Sequence, residues 1–139
     1  MPDLMIRCQV TVDGAAAPVE AQMFASYVII TAITILANAG AAAADLARAR
    51  FVLANMAELG VPRSWLPPLA VLKGAGAAGL LLGLLGMRPL GIAAAIGLVL
   101  FFIGALAAHV RARVFHNIAF PGAYFTLAIA SVALAVAAH

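Results

Sequence analysis

The sequence predicts an all-α fold: a four-helix transmembrane bundle with a short amphipathic interfacial helix between spans one and two. Of its 139 residues, 66% are hydrophobic and 9% are charged, and the mean hydropathy is +1.13. An ordinary soluble domain is about 45–50% apolar and about 25% charged, so a soluble fold of this composition would expose unusually large apolar patches. Four apolar runs are each long enough to cross about 30 Å of hydrocarbon.

The first 22 residues are more polar than the rest of the chain. They carry four charged side chains: Asp3, Arg7, Asp13 and Glu20. They lack the basic start, short apolar core and small-residue cleavage site of a signal peptide. Two interpretations stay open: residues 1–22 form a loosely ordered polar tail, or they extend the chain upstream of a natural start at Met23. Both leave residues 23–139 as the membrane domain.

The first span and the interfacial helix follow in order. Met23–Ala44 is a run of 22 residues without a charge, and at 1.5 Å rise per residue it crosses a bilayer. In the polar segment after it, apolar residues recur at spacings of three and four, which predicts a short amphipathic helix at the interface. Those residues are Phe51, Val52, Leu53, Met56 and Leu59. Gly60 and Pro62 end this helix, and Trp65 is placed as an interfacial anchor.

Three further apolar runs predict the remaining spans. They are Leu69–Gly86, Leu90–His109 and Ala119–Ala138. Lys73 alone interrupts the second span, and the pair Arg88–Pro89 predicts a tight turn after it. The short connection makes spans two and three antiparallel neighbours.

The distribution of basic residues predicts the orientation. With four spans, loops 45–68 and 110–118 share one side of the membrane. That side carries five basic residues: Arg48, Arg50, Arg63, Arg111 and Arg113. The other side carries Arg7 and Arg88. Cytoplasmic loops have an excess of Lys and Arg, so we expect a multi-pass protein of the cytoplasmic (inner) membrane with both loops in the cytoplasm and both termini outside.

Small residues recur along spans two and three. Span two contains the GxxxG pair Gly79–Gly83. Further small residues are Gly76, Gly86, Gly91, Ala95, Gly97, Gly104 and Ala108. Such spacing lets membrane helices approach closely, so we expect spans two and three to pack tightly.

The few polar groups at membrane depth are the candidate site. Asn38 and Asp45 are seven residues apart and share one face of span one. Lys73, His109 and Tyr124 lie at the same end of spans two, three and four. Ionisable residues inside a membrane are costly and commonly functional. The convergence therefore predicts a ligand-binding pocket, with Lys73, His109 and Asp45 as candidate catalytic residues. The alternatives are a snorkelling lysine, an Asp45–Lys73 pair that fixes helix register, and ordinary interfacial His and Tyr residues.

Other sites are disfavoured by the same inspection. The sequence has no HExxH, CxxC, GxSxG or phosphate-binding glycine loop, and we predict no metal site. The pI of about 9.8 reflects basic residues beside apolar runs, which indicates membrane topology rather than nucleic-acid binding. The partner expected on this basis is the lipid bilayer.

Several short motifs resemble those of a known family. They are Asn55-Met56, Gly60-Val61-Pro62, Pro67-Pro68, Lys73-Gly74, Pro89-Leu90-Gly91 and Ala108-His109-Val110-Arg111. Together they resemble the DoxX-like family of small bacterial four-helix membrane proteins over roughly residues 23–138. The family takes its name from a subunit of a membrane thiosulfate:quinone oxidoreductase.

The resemblance implies a membrane subunit or anchor of a redox or quinone-linked system. It implies a quinone as the cofactor, and a redox-complex protein or a second copy of the chain as partner. Cys8, the single cysteine, lies in the tail. The spans therefore contain no cysteine that could carry out direct sulfur chemistry. The alternative is a small membrane enzyme or binding protein for a quinone, isoprenoid or lipid, using Asn38, Asp45, Lys73, His109 and Tyr124. A transporter or channel is disfavoured by the few polar groups inside.

Overall fold

The fold is an antiparallel bundle of long helices. A computed structural model describes residues 2–138, except for the side chains of residues 9–17. Within that part of the chain the helices are α1 (Pro2–Leu46), α2 (Arg50–Leu59), α3 (Leu66–Leu84), α4 (Arg88–Ala112) and α5 (Ala119–Ala137), with a short 3-10 turn at Arg63–Trp65. The all-α prediction is confirmed.

Four of these helices are long and apolar enough to cross a membrane. The candidate spans are Pro18–Leu46, Arg63–Leu84, Arg88–Ala112 and Ala119–Ala137. Large apolar side chains such as Leu36, Val71 and Leu100 are exposed on their outer faces, where lipid is the solvent that makes such exposure favourable. The chain is therefore a multi-pass membrane protein.

The amino-terminal segment differs from the expectation. The sequence predicts for residues 1–22 either a loosely ordered tail or an upstream extension, and in the structure residues 2–22 belong to α1, which is continuous from Pro2 to Leu46. Strong helix formers on both sides, Ala15–Ala17 and Glu20–Ala21, favour continuing the helix of the first span, although Pro18 lies inside it and opposes this. The domain boundary between residues 22 and 23 stays a prediction.

The amphipathic helix between the first two spans is confirmed as α2. Its buried residue is Met56, and its carboxyl end closes at Gly60, where φ is 71°. The Gly60 amide donates to the Ala57 carbonyl at 3.2 Å, and the Val61 amide donates to the Met56 carbonyl at 3.0 Å. A glycine adopts this left-handed conformation at little cost, so its position fixes where α2 ends.

The order of the four spans around the bundle is α1, α3, α4, α5. α1 packs against α3 and α5, and α4 packs against the same two helices from the opposite corner. The central buried cluster consists of Leu80, Ala95, Leu98, Phe102 and Ala128. The α3–α4 turn differs slightly from the prediction, because Arg88 and Pro89 begin α4 rather than forming the turn. Proline at the first helical positions lacks only an N–H that would be unpaired there anyway.

Close packing of α3 on α4 depends on glycine. A Cβ atom placed on Gly83 would lie 2.6 Å from the Cα of Gly91, and one on Gly79 would lie 2.5 Å from the Cβ of Ala94. The predicted GxxxG pair therefore lies in the contact. Gly97 and Gly104 do not contribute, since a Cβ on either would meet nothing within 4 Å. The tight contact is confined to the half of the bundle near the α3–α4 turn.

Candidate functional site

An ion pair joins α1 and α3 at the other end of the bundle. Lys73 Nζ donates to Asp45 Oδ2 at 2.8 Å, and the two side chains are 16% and 6% exposed. Asp45 lies in the last turn of α1 and Lys73 in the second turn of α3, so the antiparallel packing brings them together. The ammonium also lies 5.6 Å from the centre of the Phe101 ring on α4, a favourable cation–π distance.

A stripe of buried residues, mostly polar, runs down α1 from Asp45. Its members recur at spacings of three and four: Tyr27, Thr31, Thr34, Asn38, Ala42 and Asp45. Thr34 Oγ1 donates to the Ile30 carbonyl at 2.7 Å, and Ser131 Oγ lies 3.0 Å from the same threonine oxygen. Because the Thr34 proton is used on Ile30, Ser131 is the donor of this contact between α1 and α5. The stripe places hydrogen bonds within the membrane part of the bundle.

Asn38 belongs to this stripe. Its amide nitrogen donates to the Thr34 carbonyl at 2.9 Å. Its Oδ1 is buried without a hydrogen-bond partner among the described residues. Asn38 shares one face of α1 with Asp45, as predicted. It lies inside the helix interface rather than on the wall of the cavity described below.

His109 is buried near the end of α4 at 3% exposure. Its Nδ1 lies 2.8 Å from the Ala105 carbonyl one turn earlier. A carbonyl only accepts, so Nδ1 carries a proton, and in the neutral ring the lone pair is then on Nε2. Within the described part of the chain, Nε2 is buried and has no hydrogen-bond partner.

Tyr124 connects α5 to α1 and α4. Its hydroxyl donates to the Ala37 carbonyl at 3.1 Å. Its ring lies 5.3 Å from the ring of Phe102, tilted by 36°. The residue therefore helps to hold α1, α4 and α5 together beside the ion pair.

The helix α2 covers this end of the bundle. Two side-chain contacts connect it to the segment before α5: Asn117 Nδ2 donates to Asn55 Oδ1 at 2.7 Å, and His116 Nε2 lies 2.7 Å from Glu58 Oε2. None of these four residues is among the site residues predicted from the sequence, although Asn55 belongs to one of the family motifs, and Thr34 and Ser131 are not among them either. Spacing along α1 would have found the threonine, but the other partners are far apart in sequence.

A cavity of about 970 Å³ lies beneath α2. Ligand pockets are commonly about 300–1,000 Å³ and mostly apolar with a few polar groups. All four spans and α2 contribute to its wall. Its polar and aromatic lining residues are Asp45, Phe51, Asn55, Trp65, Lys73, Phe101, Phe102, His109, Asn117, Phe120 and Tyr124. The structure therefore brings four of the five predicted site residues, all except Asn38, to one cavity.

The comparisons with known proteins agree with the motifs. The model of the DoxX-like family matches residues 29–131, which is well over half of the chain. The chain belongs to the DoxX-like family. The match includes the carboxyl-terminal part of α1 from Ile29 to Leu46, all of α2, α3 and α4, and the part of α5 that carries Tyr124 and Ser131. No curated protein and no solved structure matched the chain.

Proposed function

We propose that this DoxX-like protein binds a membrane-dissolved quinone in the cavity beneath α2. The observation that carries the proposal is the cavity itself: an apolar and aromatic space with a partly buried lysine–aspartate pair on its wall. Such a space accepts a ring with an apolar substituent, and the polar groups at one end suit oxygen atoms on that ring. The redox setting implied by the family resemblance favours a quinone over other lipids.

Lys73 is the group we expect to hold a quinone carbonyl. An ammonium has three N–H donors, and the contact with Asp45 uses one of them. Asp45 balances the charge and fixes the position of the nitrogen. A hydrogen bond from a charged donor contributes about 1.5–3 kcal/mol, so this contact would supply a large part of the head-group affinity.

His109 is the second polar contact that we expect. Its Nε2 is an acceptor without a partner in the described part of the chain, and leaving a buried polar atom unpaired costs about 1–3 kcal/mol. The hydroxyl of a reduced quinone would supply the missing donor. The Tyr124 hydroxyl donates its proton to the Ala37 carbonyl. Its oxygen therefore keeps lone pairs that can accept a hydrogen bond from a hydroxyl group of a reduced quinone. Asp45 and Asn38 would act by orienting their neighbours.

Fluorescence of the single tryptophan gives a direct test. Trp65 lines the cavity, and a quinone bound there should quench it. We would titrate 2,3-dimethoxy-5-methyl-6-decyl-1,4-benzoquinone into the protein in lipid nanodiscs. We expect saturable quenching; quenching that rises linearly without saturation would contradict the proposal.

Variants assign the binding to Lys73. Loss of its charged hydrogen bond should weaken binding about tenfold or more in Lys73→Met, since 1.4 kcal/mol is tenfold. Because that change leaves Asp45 unpaired, the double variant Asp45→Asn/Lys73→Met is the better-folded counterpart. Arg50→Met is the matched control, as Arg50 is a basic residue at the same end that does not line the cavity. Equal affinity in all three variants would contradict a role for Lys73.

We propose as a second candidate that the protein is a membrane subunit or anchor of a redox system. Membership of the DoxX-like family favours this reading through the oxidoreductase subunit for which the family is named. Purification from native membranes in a mild detergent tests it, because a subunit should carry a partner protein in stoichiometric amount. A chain that always isolates alone would count against it. The two functions are compatible, since a quinone-binding subunit would satisfy both tests.

A further inference from the structure

We propose that the cavity opens sideways into the bilayer between α1 and α5, and that the hydrocarbon tail of the ligand leaves past Gly40 through this opening. The inference rests on the proposed function and adds the route and the tail to it. It follows from residues that line the cavity and also lie on the outer surface. We call the opening formed by Leu36, Gly40 and Phe120 the α1–α5 opening.

Exposure marks the position of the opening. Leu36 is 73% exposed and Phe120 is 71% exposed, and Gly40 is also exposed, although all three line the cavity. A residue that borders both an internal space and the outside lies where the two meet. All three are apolar, so the rim suits acyl chains.

The geometry of α1 and α5 assigns the opening to these two helices. Leu36 and Gly40 are four residues apart and therefore lie on one face of α1, as Phe120 and Tyr124 do on α5. The Tyr124 hydroxyl contacts the Ala37 carbonyl at 3.1 Å, which brings the two faces side by side. A Cβ placed on Gly40 would meet nothing within 4 Å, so the gap at this glycine is open.

The depth of the opening places it in one leaflet. Gly40 precedes the end of α1 at Leu46 by six residues, about 9 Å, and Leu36 precedes it by ten, about 15 Å. Half of the hydrocarbon core is also about 15 Å. Beyond the opening, the contact of Thr34 with Ser131 at 3.0 Å joins the two helices again. The tail would therefore enter the leaflet that contains the cavity.

By the same criterion the cavity also reaches the surface at Phe51 on α2 and at Trp65 ahead of α3, both beside the polar segment at the end of the bundle, and at Gly104 on α4. Gly104 lies one turn from Phe101, whose ring is 5.6 Å from the Lys73 ammonium. A charged neighbour suits a head group better than a hydrocarbon tail. The α1–α5 opening offers three exposed apolar positions, so we assign the tail to it.

Two probes with one head group separate the tail from the head. They are 2,3-dimethoxy-5-methyl-1,4-benzoquinone, which has no tail, and its 6-decyl derivative. In Gly40→Leu we expect at least tenfold weaker binding of the decyl probe and less than a twofold change for the tail-less probe. Leucine is the better helix former, so reduced binding would not come from a weaker helix. Gly97→Leu is the control, since Gly97 is exposed, unobstructed and outside the cavity wall.

Every outcome decides the proposal. An unchanged affinity of Gly40→Leu for the decyl probe would overturn it, as would an equal loss for both probes or a tail-specific loss in Gly104→Leu instead. If Gly40→Leu does not fold, Gly40→Ala adds only a methyl group to the same opening; it should weaken the decyl probe by a smaller factor and leave the tail-less probe unchanged, and an unchanged affinity for the decyl probe would overturn the proposal. Failure of the wild-type protein to bind either probe would refute the proposed function, and this inference with it.

Discussion

Breaking the Asp45–Lys73 pair from either side should destabilise the bundle. The two side chains are 6% and 16% exposed, so replacing one leaves the other as a buried charge without its counter-ion. Breaking a buried pair in this way costs about 3–5 kcal/mol. Lys73 retains some exposure and can extend its ammonium towards the interface. The cost of Asp45→Asn should therefore lie near the lower end of this range of free energies. We expect each single variant to lose about 3 kcal/mol of unfolding free energy.

The double variant distinguishes a charge effect from a loss of packing. Asp45→Asn/Lys73→Met removes both charges and keeps most of the side-chain volume. Replacing a buried pair with well-packed hydrophobic residues is often close to neutral, and the polar amide that Asp45→Asn leaves adds a cost, so we expect a loss of about 1 kcal/mol. The two single effects would then be non-additive by about 5 kcal/mol, because two losses of about 3 kcal/mol would combine to only about 1 kcal/mol. Unfolding in mixed detergent micelles, followed by far-UV circular dichroism, measures all four proteins.

An exposed pair at the same end supplies the control. His116 and Glu58 lie 2.7 Å apart, but their side chains are 66% and 46% exposed. Exposed pairs contribute about 0–1 kcal/mol, so Glu58→Gln should be nearly silent in the same assay. Additive effects of Asp45→Asn and Lys73→Met, or an effect of Glu58→Gln as large as theirs, would refute the reasoning.

Two further predictions concern packing and topology. Gly83→Leu should lower the unfolding free energy by about 2–3 kcal/mol, because its Cβ would lie 2.6 Å from the backbone of Gly91. Gly97→Leu is the control and should leave the stability unchanged. Equal thermal stability of the two variants would contradict the glycine contact. In a Cys8→Ser background, an impermeant maleimide on intact spheroplasts should label Met87→Cys and not Ser64→Cys, while the reverse pattern would invert the predicted orientation.

The number of spans was predictable because it depends on composition alone. An apolar run of about 20 residues is stable across lipid whatever its neighbours are, so each run became a helix. The ends were less predictable: α3 begins at Leu66 and α4 extends from Arg88 to Ala112, beyond the apolar runs. Hydropathy reports the hydrocarbon boundary, whereas a helix continues through the interface for as long as its backbone hydrogen bonds form.

The candidate site was predictable as a region and not as a set of contacts. Depth along each span placed Asp45, Lys73, His109 and Tyr124 at one end, and all four line the cavity. Asn38 shares the face of Asp45 as expected, but the structure buries it in the helix interface. A residue on the inner face of a helix packs against the next helix where the helices are close, and it lines a cavity where they are farther apart. The sequence does not show this separation.

Four membrane-spanning helices, with their rare polar groups at one end, are predictable from the amino-acid sequence alone. These features follow from the hydropathy, length and spacing of residues close together in the chain. The hydrogen-bond partners, such as Thr34 with Ser131 and Asn55 with Asn117, and the cavity itself depend on how the helices pack, because they join residues far apart in the chain. Glycine contacts hold α3 and α4 together at one end, and the space at the other end depends on all four spans and α2 together.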